Sequence, residues 1–83
     1  MTDLYDGIYK EIEFGHIEIT IRHLMDEAGI TRNKMSKLTG IKYDVVTRYY
    51  NGTELERVDL TVLSKICYVL KCDIADIMQY KRP

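Results

Sequence analysis

The sequence predicts an all-α domain of five short helices, with one small strand ahead of the first. Three observations carry that prediction. Helix-start chemistry recurs: Thr31, Asp59 and Asp73 can each offer a side-chain oxygen to free backbone N–H groups. Each is framed by an apolar residue before it and another four after it: Ile30 with Met35, Val58 with Leu63, Cys72 with Ile77. Apolar residues then repeat at helical spacing in Ile21, Leu24, Met25 and Ala28, and again in Leu63, Ile66, Cys67 and Leu70. Finally, Gly29, Gly40 and Gly52 separate the helical stretches, and the one proline, Pro83, stands where it interrupts nothing.

Taken in order, residues 1–16 read as an N-terminal arm and 17–83 as the folded domain. In the arm, Tyr5, Ile8, Tyr9, Ile12 and Phe14 are mixed with acids. The spacing of Ile8 and Ile12 allows a short amphipathic helix. Two glycines and the lack of a cap equally allow an arm ordered only by a partner. Ile17, Ile19 and Ile21 alternate with Glu18 and Thr20, which is strand periodicity, and the first helix is placed from about Thr20. The second helix follows the Thr31 cap, the third begins near Lys42, the fourth follows Asp59 and the fifth Asp73. Met78–Lys81 offers a partner strand for the first.

Composition narrows the functions open to such a domain. A chain of 83 residues that is 46% apolar and 30% charged has the balance of one globular domain. Size scaling has it bury about 64% of the surface its unfolded form exposes. The absence of an apolar run of membrane-spanning length and of a basic-then-apolar leader predicts a cytoplasmic protein with no membrane partner. Cys67 and Cys72 have no nearby histidine or cysteine to complete a metal site, and read as small core residues in a reducing compartment. No nucleophile–base pair, paired carboxylates or phosphate-cradling loop points to an enzyme, and no cofactor or small-molecule ligand is implied.

Net charge is −1, which hides an asymmetry. Residues 1–30 carry seven acidic side chains against two basic, residues 31–57 six basic against three acidic, and residues 58–83 four basic against three acidic. An acidic leading segment beside a basic middle is a clue to partners.

The basic middle also carries a motif. Residues Arg32 to Tyr49 read as two helices around one tight turn: Met35 and Leu38 face inward from the first, and Ser36 is small enough for close approach. Gly40 supplies the positive φ of the turn, and Ile41, Val46 and Tyr49 face inward from the turn and second helix. This is a helix-turn-helix pattern, whose second helix is presented to the DNA major groove. The run GITRNKMSKLTGIKYDVVTRYYNGT, followed by VDLTVLSKICYVLKCDIADIM, resembles the phage Cro and repressor type (XRE-like) of helix-turn-helix over about Ile21 to Tyr80.

The resemblance implies a five-helix lambda-repressor-like fold that binds double-stranded DNA as a small bacterial or phage regulator, as a rule a repressor. It makes the helix from about Lys42 the recognition helix, with Lys42, Tyr43, Asp44, Thr47 and Arg48 toward base edges. Helical geometry agrees, because Val46 and Tyr49 take the opposite face. Arg48 can fork to guanine O6 and N7, Tyr43 and Thr47 can meet a thymine methyl, and Asp44 can accept from cytosine N4. Arg32, Asn33, Lys34, Lys37 and Asn51 are the expected DNA-backbone contacts. Arg32, where relatives often carry glutamine, either meets phosphate or stacks on Tyr43. Tyr50 stands where an acid is frequent.

One module this small is expected to bind as a homodimer, which sets two recognition helices about 34 Å apart. Candidate dimer surfaces are Tyr5, Tyr9 and Phe14 of the arm, the Ile17–Ile21 edge, and the last helix with Ile77, Met78 and Tyr80. The alternative is a protein-interaction module of the same fold, antitoxin-like or anti-repressor, that does not read DNA. The acidic segment favours it, and steep salt dependence of DNA binding separates the two.

Overall fold

A computed structural model describes residues 13–53 and 55–83. Among them the chain forms strand β1 (His16–Ile19), helices α1 (Arg22–Ala28), α2 (Arg32–Thr39), α3 (Tyr43–Asn51), α4 (Leu60–Leu70) and α5 (Ile74–Ile77), and strand β2 (Met78–Lys81). The expectations for Tyr5, Ile8, Tyr9 and Ile12 fall outside the described residues.

Local chemistry starts three of the helices where the sequence places them. The Thr31 hydroxyl accepts from the Lys34 N–H at 3.1 Å, and one Asp59 carboxylate oxygen accepts from Thr61 and Val62 at 2.7 and 3.2 Å. At α5 the Asp76 carboxylate accepts from the Asp73 N–H at 2.9 Å, closing the first turn back onto its cap. The residues before these caps, Ile30, Val58 and Cys72, pack against a core that includes Met35, Leu63 and Ile77.

The first helix departs from expectation. It begins at Arg22 rather than Thr20, without a side-chain cap. The Thr20 N–H is taken by the Ile77 carbonyl at 2.8 Å, so Thr20 continues the pairing of the strands instead of opening a helix. Ile21 and Met25 are fully buried as expected, whereas Ala28 is exposed.

β1 and β2 pair antiparallel, with Ile17 opposite Tyr80 and Ile19 opposite Met78. This ribbon joins the two ends of the described chain, and the Tyr80 hydroxyl donates to the Phe14 carbonyl at 2.6 Å. The core runs through the helices as Ile21, Met25, Met35, Ile41, Val46, Tyr49, Leu63, Ile66 and Ile77. Cys67 and Cys72 are free thiols, half-buried rather than fully enclosed. Ile77, a candidate for a dimer surface, is completely buried, while Phe14, Ile17 and Tyr80 are exposed.

No helix among the described residues is long and apolar enough to cross a membrane.

Candidate nucleic-acid interface

The geometry of α2, the turn and α3 is built from short polar links over a buried apolar floor. Gly40 ends α2 with φ +76°, a left-handed conformation that side chains with a Cβ avoid, and its N–H returns to the Ser36 carbonyl at 2.9 Å. The Ser36 hydroxyl donates across the turn to the Ile41 carbonyl at 2.6 Å. Thr39 donates to the Met35 carbonyl at 2.7 Å and accepts from the Ile41 N–H at 3.2 Å. Thr39 therefore takes the packed side of the last turn of α2. Leu38, expected inward, is rotated out and 57% exposed.

Met35, Ile41, Val46 and Tyr49 are buried as the motif requires. With Val46 and Tyr49 anchored, the opposite face of α3 carries Lys42 at its N-cap, Tyr43, Asp44 and Arg48, all exposed, and Thr47, half-buried. The Thr47 hydroxyl is already engaged, donating to the Tyr43 carbonyl at 3.0 Å and accepting from Arg32 at 3.4 Å. Asn33, Lys34 and Lys37 are exposed along α2.

Cationic side chains flank α3 on both sides. On one side, an open groove is lined by Lys42, Arg48, Arg57 and Lys65, with Asp59 the acid among its lining residues. On the other, the Arg32 guanidinium lies over the rings of Tyr43 and Tyr50, 5.4 and 5.5 Å from their centroids. Arg22 joins it there, 4.7 Å from the Tyr50 centroid, and donates to the Asn51 side-chain carbonyl at 2.9 Å. The Tyr50 hydroxyl donates to Asp26 at 2.8 Å. That bond holds the Tyr50 phenol above its ordinary pKa, helped by desolvation and the Asp26 charge and opposed by the charges of Arg22 and Arg32.

Within 4 Å, the one acid–base pair among the described residues is His16 with Glu18, at 3.0 Å. No described carboxylate therefore lies within 4 Å of the arginines and lysines around α3. A helix with polar outward residues between two cationic banks has the electrostatic form of a polyanion-binding surface.

The sequence expected Arg32 either at phosphate or on Tyr43, and the stack on Tyr43 is present. Asn51 is on the same side but occupied by Arg22. Arg22, Arg57 and Lys65 also belong to this surface and were not singled out by sequence, and Tyr50, noted only for standing where an acid is frequent, joins them. Arg57 and Lys65 carry only the signal of charge, while Arg22 and Tyr50 lie 28 positions apart and meet only in the folded chain.

The model of the Cro/C1-type HTH DNA-binding domain family matches residues 20–83, most of the chain. Among solved structures, a crystal structure of the transcriptional regulator VanUg superposes with a TM-score of 0.61 at 21% identity, covering 87% of this chain and 96% of that one. At that identity the likeness speaks for the fold. No match is found among curated proteins.

Proposed function

The chain belongs to the Cro/C1-type helix-turn-helix DNA-binding domain family, a family of DNA-binding domains rather than enzymes, and on that premise we propose a sequence-specific transcriptional repressor of bacterial or phage type. It acts in the cytoplasm as a homodimer on double-stranded DNA, with α3 in the major groove. Lys42, Tyr43, Asp44, Thr47 and Arg48 meet base edges. Arg32, Asn33, Lys34, Lys37 and Asn51 meet the DNA backbone.

The observation that supports this reading most is the position of α3. Buried Val46 and Tyr49 fix its inner side, and its outer polar residues stand between the Arg22–Arg32 pair and a groove whose further cations are Arg57 and Lys65. A helix seated in the major groove has a phosphate strand on each side, and cations on both flanks suit that environment. Phosphate neutralisation gives affinity without sequence preference, and the α3 side chains give discrimination. A second subunit doubles both, which is the physical reason for expecting a near-palindromic site.

The test begins by selecting duplexes from a random pool with the wild-type chain. Arg48→Ala is then compared with wild type on the selected duplex and on random DNA. Loss of one forked base contact is expected to cost about 1–3 kcal/mol on the selected site, and less on random DNA. Equal affinity of wild type and variant on both duplexes removes Arg48, and with it this placement of α3. A symmetric selected site supports the dimer.

A further inference from the structure

Arg22 and Asp26 are four residues apart on α1, the spacing at which opposite charges on one helix face ordinarily pair. They do not pair here. Tyr50, from α3, takes both: its hydroxyl donates to Asp26 at 2.8 Å, and its ring lies 4.7 Å beneath the Arg22 guanidinium. The same ring lies 5.5 Å from the guanidinium of Arg32, so one aromatic side chain gathers two arginines from two different helices. Every other partner of these arginines among the described residues is neutral: the Asn51 amide for Arg22, the Thr47 hydroxyl and the Tyr43 ring for Arg32. Among the described residues, the two guanidiniums are therefore held in place by neutral groups, with no carboxylate within 4 Å. The nearby Asp26 carboxylate keeps its charge, but its hydrogen bond goes to the phenol and not to either guanidinium.

Two guanidiniums held on one ring, with no described carboxylate within 4 Å, suit an anion with several acceptor oxygens, and guanidinium is the side chain best matched to phosphate. Beside Arg32 an open groove runs past Thr31, Asn33, Tyr43 and Tyr50 to the start of α2, with Asp26 the acid on its wall and Arg22 outside its lining. We propose that Tyr50 is a positioning residue that keeps Arg22 and Arg32 apart from Asp26 as a two-arginine clamp for the DNA phosphate backbone, and that Arg22 is itself a DNA contact. The inference rests on the DNA-binding reading and adds to it Arg22 as a contact, Tyr50 as its organiser and Asp26 as the charge to be held away. Arg22 and Tyr50 act without reading bases, so they set affinity and salt dependence while α3 sets preference.

The full chain is titrated by fluorescence anisotropy onto a selected duplex and onto random DNA at several salt concentrations, with folding of each variant followed by circular dichroism. Arg22→Ala is expected to weaken binding to both duplexes by roughly tenfold and to reduce the salt slope by about 1, as for one lost phosphate contact. Arg22→Gln keeps a polar side chain at this position, and gives the same readout if the alanine variant is destabilised. Tyr50→Phe retains the ring but frees Asp26 to pair with Arg22, and is expected to weaken both duplexes severalfold. Adding Asp26→Asn to Tyr50→Phe is expected to raise affinity by more than Asp26→Asn alone raises that of the wild type, an excess that a merely structural role for the hydroxyl does not produce. Unchanged affinity and slope in Arg22→Ala and Arg22→Gln overturn the clamp while wild-type DNA binding stands. An Asp26→Asn gain no larger in Tyr50→Phe than in the wild type overturns the role of Tyr50. A wild-type chain that binds neither duplex at low salt overturns the DNA-binding reading, and the clamp with it.

Discussion

The hydroxyl of buried Tyr49 accepts a hydrogen bond from the backbone N–H of Asp59 at 3.0 Å. That bond ties the inner side of α3 to the cap of α4, so the orientation of α3 is set by a helix that follows it in sequence. Tyr49→Phe keeps the ring and its packing but leaves the Asp59 N–H without this acceptor. The expected loss is about 1 kcal/mol, which for a domain this small lowers Tm by roughly 4–8 °C. Thermal unfolding of the two proteins side by side measures it, and an unchanged Tm shows that the bond contributes nothing net.

Two left-handed glycines separate backbone strain from steric conflict. A Cβ at Gly40, φ +76°, meets nothing within 4 Å, whereas one at Gly52, φ +68°, lies 2.8 Å from the Ile19 carbonyl oxygen. Gly40→Ala is therefore expected to cost only the conformational term, about 1–2 kcal/mol. Gly52→Ala adds a clash with β1 backbone and is expected to cost clearly more. Urea unfolding of both variants ranks them, and equal midpoints contradict the close approach at Gly52.

What the sequence made legible follows the range of the interactions. The caps at Thr31, Asp59 and Asp73 act over three residues, and their apolar frames over five, so both could be read locally. The β2 partner at Met78–Lys81 was readable as a pattern of side chains. The start near Thr20 came from Ile21 serving both the strand alternation and the helical repeat, and the bond from Thr20 to Ile77, 57 residues away, is one that no local pattern reveals. Leu38 has helical spacing from Met35, but Thr39 satisfies turn backbone and so occupies the packed side. At the candidate interface, the outward position of Lys42, Tyr43, Asp44 and Arg48 follows from helix period alone. The Arg22–Tyr50–Asp26 arrangement does not, since it depends on how α1 and α3 cross. Ser36, legible only as a small residue, proves to hold the turn by its hydroxyl.

Cys72 gives a prediction for alkaline pH. Desolvation, together with the neighbouring Cys67 and the acids Asp76 and Asp73, pushes its thiol up to about 11 from an ordinary 9. Below pH 9 the thiol is protonated in folded and unfolded chains alike, and its contribution to stability is fully present. Between about 9 and 11 the unfolded chain gives up the proton while the folded chain holds it, so unfolding gains and stability falls. Denaturation midpoints measured across that interval are expected to decline, and to decline less in Cys72→Ala. Equal slopes in the two proteins remove Cys72 as a source of the loss.

Asp44 gives the last prediction, because affinity and selectivity pull in opposite directions there. It is the acid in the first turn of α3, where the helix dipole favours negative charge. With α3 seated as proposed, the same charge faces phosphates, which repel it whatever the sequence. It recovers that repulsion only where a base offers a donor, as cytosine N4 does in the major groove. Asp44→Asn removes the repulsion and replaces an acceptor-only group by one that both donates and accepts. Binding to random DNA at low salt is therefore expected to tighten by a few-fold. Preference at one base pair of the selected site is expected to relax, by up to the roughly 1–3 kcal/mol of a direct contact. Competition between the selected duplex and single-base variants measures both effects. Tighter binding to random DNA with preference intact at every position makes Asp44 a repelling charge without a role in base reading.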